Sequence, residues 1–307
     1  MSKINGSSVK LIVGIESTPG ATPASFLRLT NIVVGESLNS SATELPSQAI
    51  SGDRDLAGFE NGIYDVSGSV GGEVGIMGAE IFFESLLGNK VVTGIEAPYT
   101  KEYTRAPESK GLTVYRQYTN NLALKYDGAK ISDMAFTFEP NALVTFSANF
   151  MGLKSGKVTT IPVSTSVVHR PTVGHQWKVY INDVETKSLR GSLNITNGTE
   201  AFDVLGSQYH DYIGDGLGEV RGEFDFYFDT DFLLYDLAKN GTEFSFRIEA
   251  EIGSRSIKME IPRARFSGST DATISTDKTL PVTYSLLGLT TDENQGAIKI
   301  TCINELE

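Results

Sequence analysis

Between residues 191 and 251 the chain carries 13 carboxylates against three basic side chains. Three of them, Glu219, Glu223 and Asp225, fall in the run LGEVRGEFDFYFD. Two carboxylates flanking a sugar can hydrolyse a glycosidic bond, one as the acid and the other as base or nucleophile. The pattern argues against that chemistry here. Val220, Gly222, Phe224 and Phe226 alternate with the acidic positions, so the carboxylates share one solvated side of a strand and no two form a distinct pair. The stretch DYIGDG at 211–216 offers oxygen ligands for Ca2+ but lacks the EF-hand spacing.

The remaining reactive side chains are few. His169, His175 and His210 are scattered, without neighbouring cysteines or an HExxH pattern, and read as surface histidines. Cys302 is the single cysteine, so no disulfide forms within the chain and a reducing compartment fits. No GxSxG, phosphate-binding, kinase or zinc pattern occurs. Gly68, Gly71 and Gly72 lie inside a strand pattern and do not open a helix, so they mark bulges or close backbone approach and not a dinucleotide loop. The expectation is a protein without catalysis, metal or cofactor.

The elements that carry these residues are mostly strands. The chain has 307 residues and 31 glycines, and Val, Ile, Thr, Phe and Tyr recur in alternating runs. Two segments read as a strand followed by a short helix. In IYDVSGSVGGEVGIMGAEIFFESLLGNK, Val66, Gly68, Val70 and Gly72 alternate against polar neighbours. A helix follows, with Ile81, Phe82 and Leu86 on its apolar side, Glu80 and Glu84 on its wet side and Gly88 as its stop. In LGEVRGEFDFYFDTDFLLYDLAKNGTE the same order returns. Asp229, Thr230 or Asp231 can cap a helix with Phe232, Leu233, Leu234 and Leu237 on one face, and Asn240-Gly241 ends it.

The echo extends outward. A shift of 154 puts Ile63 on Leu217 and Val66-Ser67-Gly68 on Val220-Arg221-Gly222; a shift of 136 puts Val144, Phe146, Ala148 and Phe150 on Leu280, Val282, Tyr284 and Leu286. Two ungapped blocks in the same order predict an internal duplication of a domain-sized module. The fold class expected is all-β with minor α, as two tandem modules, each with one short flanking helix. The boundaries expected are 1–157 and 177–307, with a polar, proline-containing linker at 158–176. Asp127-Gly128, Asn182-Asp183 and Gly253-Ser254 read as hairpin turns.

Two long polar stretches, 40–62 and 196–216, occupy matched positions in the two halves. Loops of that length usually serve a contact. Their candidate contact residues are Asp53, Arg54, Asp55, Phe59, Tyr209 and Tyr212. The net charge is −12, and most of it lies beyond residue 163, where 13 basic residues face 22 acidic ones. Such a surface repels phosphate backbones. No secretion signal and no apolar run long enough for a membrane span are expected.

Several segments together resemble the tail tube (major tail) proteins of long-tailed bacteriophages. They are GIESTPGATPASFLRL, SGDRDLAGFENGIYDVSGSVGGEV with its helix ending in LLG, FTFEPNALVTFSANFMGLKSG, and EVRGEFDFYFDTDFLLYDLAKNGTEFSFRIE. The likeness spans roughly residues 9 to 301 and has no single diagnostic motif. It implies a β-sandwich or barrel-like module and rings that stack into a hollow tube, through which genomic DNA leaves the capsid. With two modules per chain, three chains would make a pseudo-hexamer; six chains are the second choice. It also implies a virion protein that is assembled in the host cytoplasm. Its partners would be itself, the tape measure, the tail terminator and the tail tip. The candidate lumen-facing acids are Glu73, Glu219, Glu223 and Asp225, and the 40–62 and 196–216 loops would set the stacking register. The alternatives are a terminator that stops at one ring, or a carbohydrate-binding β-sandwich of the virion. For the latter, Trp177, Tyr209, Tyr212 and Tyr227 offer little aromatic platform.

Overall fold

The computed structural model describes residues 4–30, 32–49, 55–56, 58–228, 232–267, 281–291 and 296–305. The chain is mostly β, in two tandem sandwich-like modules, each with one short helix.

In the first half the outer sheet runs in the order Thr165–Val168, Leu27–Thr30, Lys10–Ile15, Leu112–Thr119, the start of Leu122–Phe138, and Lys154–Val158. The inner sheet holds the end of Leu122–Phe138, then Thr145–Gly152, then Phe59–Glu73, with Val33–Glu36 and Asn39–Pro46 along its edge. One strand thus serves both sheets. Asp127-Gly128, expected as a hairpin turn, is instead a bend within it. Gly128 takes φ +64°, and a Cβ there would lie 2.5 Å from Leu153 Cδ1. The ladder partner changes from Lys154–Val158 to Thr145–Gly152 at this point, so the strand crosses between sheets without reversing. Asn182-Asp183 does turn, with φ of +49° and +62°. That backbone suits a tight hairpin.

The second half repeats the plan. Its outer sheet contains Val184–Thr186, Trp177–Ile181, Phe244–Ile252, the start of Arg255–Ser267, and Lys299–Asn304. Its inner sheet contains Ser188–Thr196, Glu219–Tyr227, Pro281–Gly288 and the end of Arg255–Ser267. The repeat holds at the level of register. Ser67 lies between Asn39 and Met151, and Arg221, 154 residues on, lies between Asn194 and Leu287. Even the ladder irregularity recurs, between Val33 and Gly35 and between Ser188 and Arg190.

The halves are interlocked. Asp133–Phe138 pairs antiparallel with Gly191–Thr196, so the two inner sheets run on as one. The hairpin of Gly88–Thr93 and Tyr99–Arg105 leaves the first half and adds to Lys299–Asn304 in the second. The stretch expected as a linker packs along the first half. Val167 and Thr172 are buried there, and Thr172 N donates to Val74 O at 2.9 Å. One apolar core serves both halves. At the junction Phe138 packs 5.1 Å from Trp177 and 6.4 Å from Phe224 between ring centroids.

Helix α1 (Glu80–Leu87) buries Ile81, Phe82, Phe83 and Leu86 and stops at Gly88, φ +83°. Glu80 was expected in solvent and is buried instead. It accepts from Gly78 N at 2.6 Å, Lys101 Nζ at 3.0 Å and Asn304 Nδ2 at 2.6 Å. Lys101 arrives on the interlocking hairpin and Asn304 on a C-terminal strand, and these partners make the buried charge tolerable. Helix α2 (Leu233–Asn240) ends at Gly241, φ +59°. Of its expected apolar face only Leu237 is buried, while Phe232 and Leu233 are half exposed. The expected caps Asp229, Thr230 and Asp231 lie outside the described residues.

Candidate assembly surface

The joined inner sheet has two unlike faces, and both follow from two-residue alternation. Val66, Val70, Phe146, Ala148, Leu193, Ile195, Val220, Phe224 and Tyr284 point into the core. The positions between them bear short polar side chains: Ser67 and Ser69, Thr145, Ser147 and Asn149, Ser192 and Asn194, Thr283 and Ser285. By the same alternation Glu73, Glu219, Glu223 and Asp225 all fall on this polar face.

Their charge is partly balanced there. Arg221 Nε donates to Glu219 Oε2 at 2.8 Å, and that bond holds the Glu219 carboxyl below its usual range. Asp225 accepts from Arg190 Nε and Thr283 Oγ1, each at 2.5 Å. Glu73 lies 3.5 Å from His169 Nε2. Glu223 is exposed. The face is therefore mainly hydroxyl and amide, with Glu219 and Asp225 paired to arginines and Glu223 open to solvent.

His175 is exposed as expected, but the other two histidines are not surface groups. The His169 side chain is 1% exposed beside Glu73. His210 bridges the halves, with Nδ1 2.6 Å from Asp203 Oδ1 and Nε2 3.4 Å from Asp65 Oδ1. Burial follows from where the chain packs, which spacing does not reveal.

The two long stretches differ in setting. Much of 40–62 is a projecting hairpin arm, formed by Asn39–Pro46 against the start of Phe59–Glu73. Phe59, Leu45, Leu56 and Asp55 are exposed on it; Asp53 and Arg54 lie outside the described residues. The 196–216 stretch instead rests on the first half. Tyr209 stacks on Tyr64 at 5.7 Å, and Tyr64 N donates to Gln208 O at 2.8 Å. Tyr212 Oη donates to Glu108 Oε1 at 3.2 Å, with Lys130 Nζ 5.4 Å from its ring centre.

Beneath that stretch is a polar knot. Asn197, 2% exposed, donates through Nδ2 to Leu86 O at 2.8 Å and Ile131 O at 3.1 Å, and its Oδ1 accepts from Arg105 Nη1 at 2.8 Å. Asp215 accepts from Ser109 N at 2.6 Å and Lys130 Nζ at 3.2 Å. Burial pulls the Arg105 pKa down, and the nearby Asp215 carboxylate opposes that shift. Sequence reasoning missed Arg105, Lys130 and Asn197, and considered Asp215 only as one of the oxygen ligands of 211–216. Arg105 and Asn197 are 92 positions apart, and no local pattern links them.

Two like modules, joined edge to edge through a continuous sheet with one polar face, form a structural unit and not a reaction site. A family model described as phage tail tube protein matches residues 6–286. The chain belongs to that family. No curated protein matches it. It is thus a structural tail-tube-like virion protein and not an enzyme. In this tail tube protein the Asn197 and Asp215 contacts tie the second half to Leu86, Arg105, Ser109, Lys130 and Ile131 of the first.

Proposed function

We propose that this tail tube protein polymerises as closed rings that stack into the tail tube, and that genomic DNA passes through the bore during ejection. The observation that carries the reading is the junction of Asp133–Phe138 with Gly191–Thr196. It shows one module docking on the next through sheet edges. A head-to-tail contact of that kind closes into a ring when its rotation allows, and closure removes the exposed edges that make open sheets aggregate.

Three chains would supply six modules, and this trimeric pseudo-hexamer is preferred over a ring of six chains. The polar face lines the bore in this reading. Arg190 and Arg221, its cations named above, are each paired to a carboxylate, so the face offers little to hold a phosphate backbone. The hairpin arm with exposed Leu45 and Phe59 reaches the adjacent ring. The tape measure, tail terminator and tail tip proteins are the further partners, met during assembly in the host cytoplasm.

Negative-stain electron microscopy across a concentration series, seeded with tail tips, tests this. Stacked rings with a central hole are expected, and the ring mass divided by 33.2 kDa gives the number of chains. A monomer at every concentration, even with seeds, would sink the reading.

A further inference from the structure

The internal junction is a template for the junction between chains. In the second half, Ser188–Thr196 lies between Glu219–Tyr227 and Leu122–Phe138. Its equivalent in the first half is the edge formed by Val33–Glu36 and Asn39–Pro46, which pairs with Phe59–Glu73. Among the described residues no strand lies on the other side of that edge. The strand equivalent to Leu122–Phe138 is Arg255–Ser267, because each bends from an outer to an inner sheet and flanks the equivalent strands Thr145–Gly152 and Pro281–Gly288.

The registers then name the partners. Thr196 faces Glu219, as Ser41 faces Asp65, so Ser41 takes the place of Thr196. Asn149 faces Asp133, as Ser285 faces Ser267, so Ser267 takes the place of Asp133. Thr196 and Asp133 face each other within the chain. We propose that Ser41 of one copy faces Ser267 of a second copy, the edge that carries Ser41 meeting the end of Arg255–Ser267 in the antiparallel sense. Backbone polarity agrees. Ser37 N donates inward to Ser69 O at 2.9 Å, so strand alternation turns the Ser40 and Ala42 amides outward. At the position equivalent to Ala42, Asn197 N donates across the internal junction to Ser132 O at 2.8 Å. The proposal rests on the ring reading above and adds its register.

The test is a double cysteine variant, Ser41→Cys with Ser267→Cys, oxidised after assembly and run on a non-reducing gel. Facing residues of an antiparallel pair fall within disulfide reach. Cys302 is buried and stays out of the reaction. Covalent multimers replacing most of the monomer band are expected. Thr196→Cys with Asp133→Cys must close within one chain without a change of mass. Asn39→Cys with Ser267→Cys, two residues out of register, must leave most chains uncrosslinked. Amide exchange on the unsubstituted protein gives a second reading, with Ser40 and Ala42 protected in rings and unprotected in monomer. Rings in which the Asn39 pair reacts preferentially, or in which those amides exchange freely, would overturn the register while leaving the ring intact. Absence of rings would remove both readings.

Discussion

Lys130 Nζ lies 3.2 Å from Asp215 Oδ2 and joins a first-half strand to a second-half loop. Lys130 is 1% exposed at its side chain and Asp215 8%, so each charge depends on the other. Removing one partner of such a pair costs about 3–5 kcal/mol, because the other stays buried and unbalanced. Lys130→Met is expected to lose stability on that scale in urea unfolding. Asp215→Asn combined with Lys130→Met should lose less than the sum of the single changes. Simple additivity would mean that the pair does not couple the halves.

Asn197 makes a sharper case, since it both donates and accepts. Asn197→Asp keeps the acceptor for Arg105 but sets a carboxylate against Leu86 O and Ile131 O. An unsatisfied buried polar group costs about 1–3 kcal/mol. Asn197→Asp should therefore destabilise at neutral pH, and Asn197→Ala should do so at every pH. A melting temperature for Asn197→Asp equal to that of the unsubstituted protein would show that the amide donor is not needed.

Gly128 gives a backbone prediction. Its φ of +64° and the 2.5 Å approach to Leu153 both oppose a side chain. Strain of this kind costs about 1–3 kcal/mol. Gly128→Ala should lower stability by that order, and trimming the neighbour with Leu153→Ala should not restore it fully, because the positive φ remains.

Alkaline pH tests the buried thiol. Burial first, and then the Glu80 carboxylate, push the Cys302 pKa well above its ordinary 9.0, against an opposing effect of Lys101. A group raised on folding favours the folded state fully below its unfolded pKa, and that contribution fades as pH rises above it. Stability should thus fall from about pH 9 upward, by roughly 1.4 kcal/mol per pH unit for each such group. Cys302→Ala should flatten part of the slope, and a reagent such as iodoacetamide should react only after unfolding.

The polar face and the arm are separable in assembled protein. Glu223→Lys with Ser147→Lys adds cations to the proposed bore without touching the core. DNA retention by tubes should rise and weaken with salt. Leu45→Ser with Phe59→Ser removes apolar surface from the exposed arm. Electron micrographs should then show single rings in place of stacks. Unchanged tubes would exclude the arm from stacking.

The sequence by itself determined what depends on near neighbours. Alternation around Val66 and Val220 placed strands and their polar faces, because side chains two apart share a side of the sheet. Gly88 and Gly241 marked the helix ends, since each takes a positive φ that a side chain opposes. The offset of 154 residues that relates Ser67 to Arg221 holds in the ladders of both halves. Tertiary structure decided what depends on distant partners. Asp127-Gly128 turns a chain in isolation, yet here continuous ladders on either side hold the strand through it. Glu80 has the sequence context of a wet helix face, and Lys101 and Asn304 draw it inside. The docking of Asp133–Phe138 on Gly191–Thr196 joins segments some 60 residues apart. Sheet pairing of that span is set by which edges and apolar faces remain to be covered, and no local pattern carries that information.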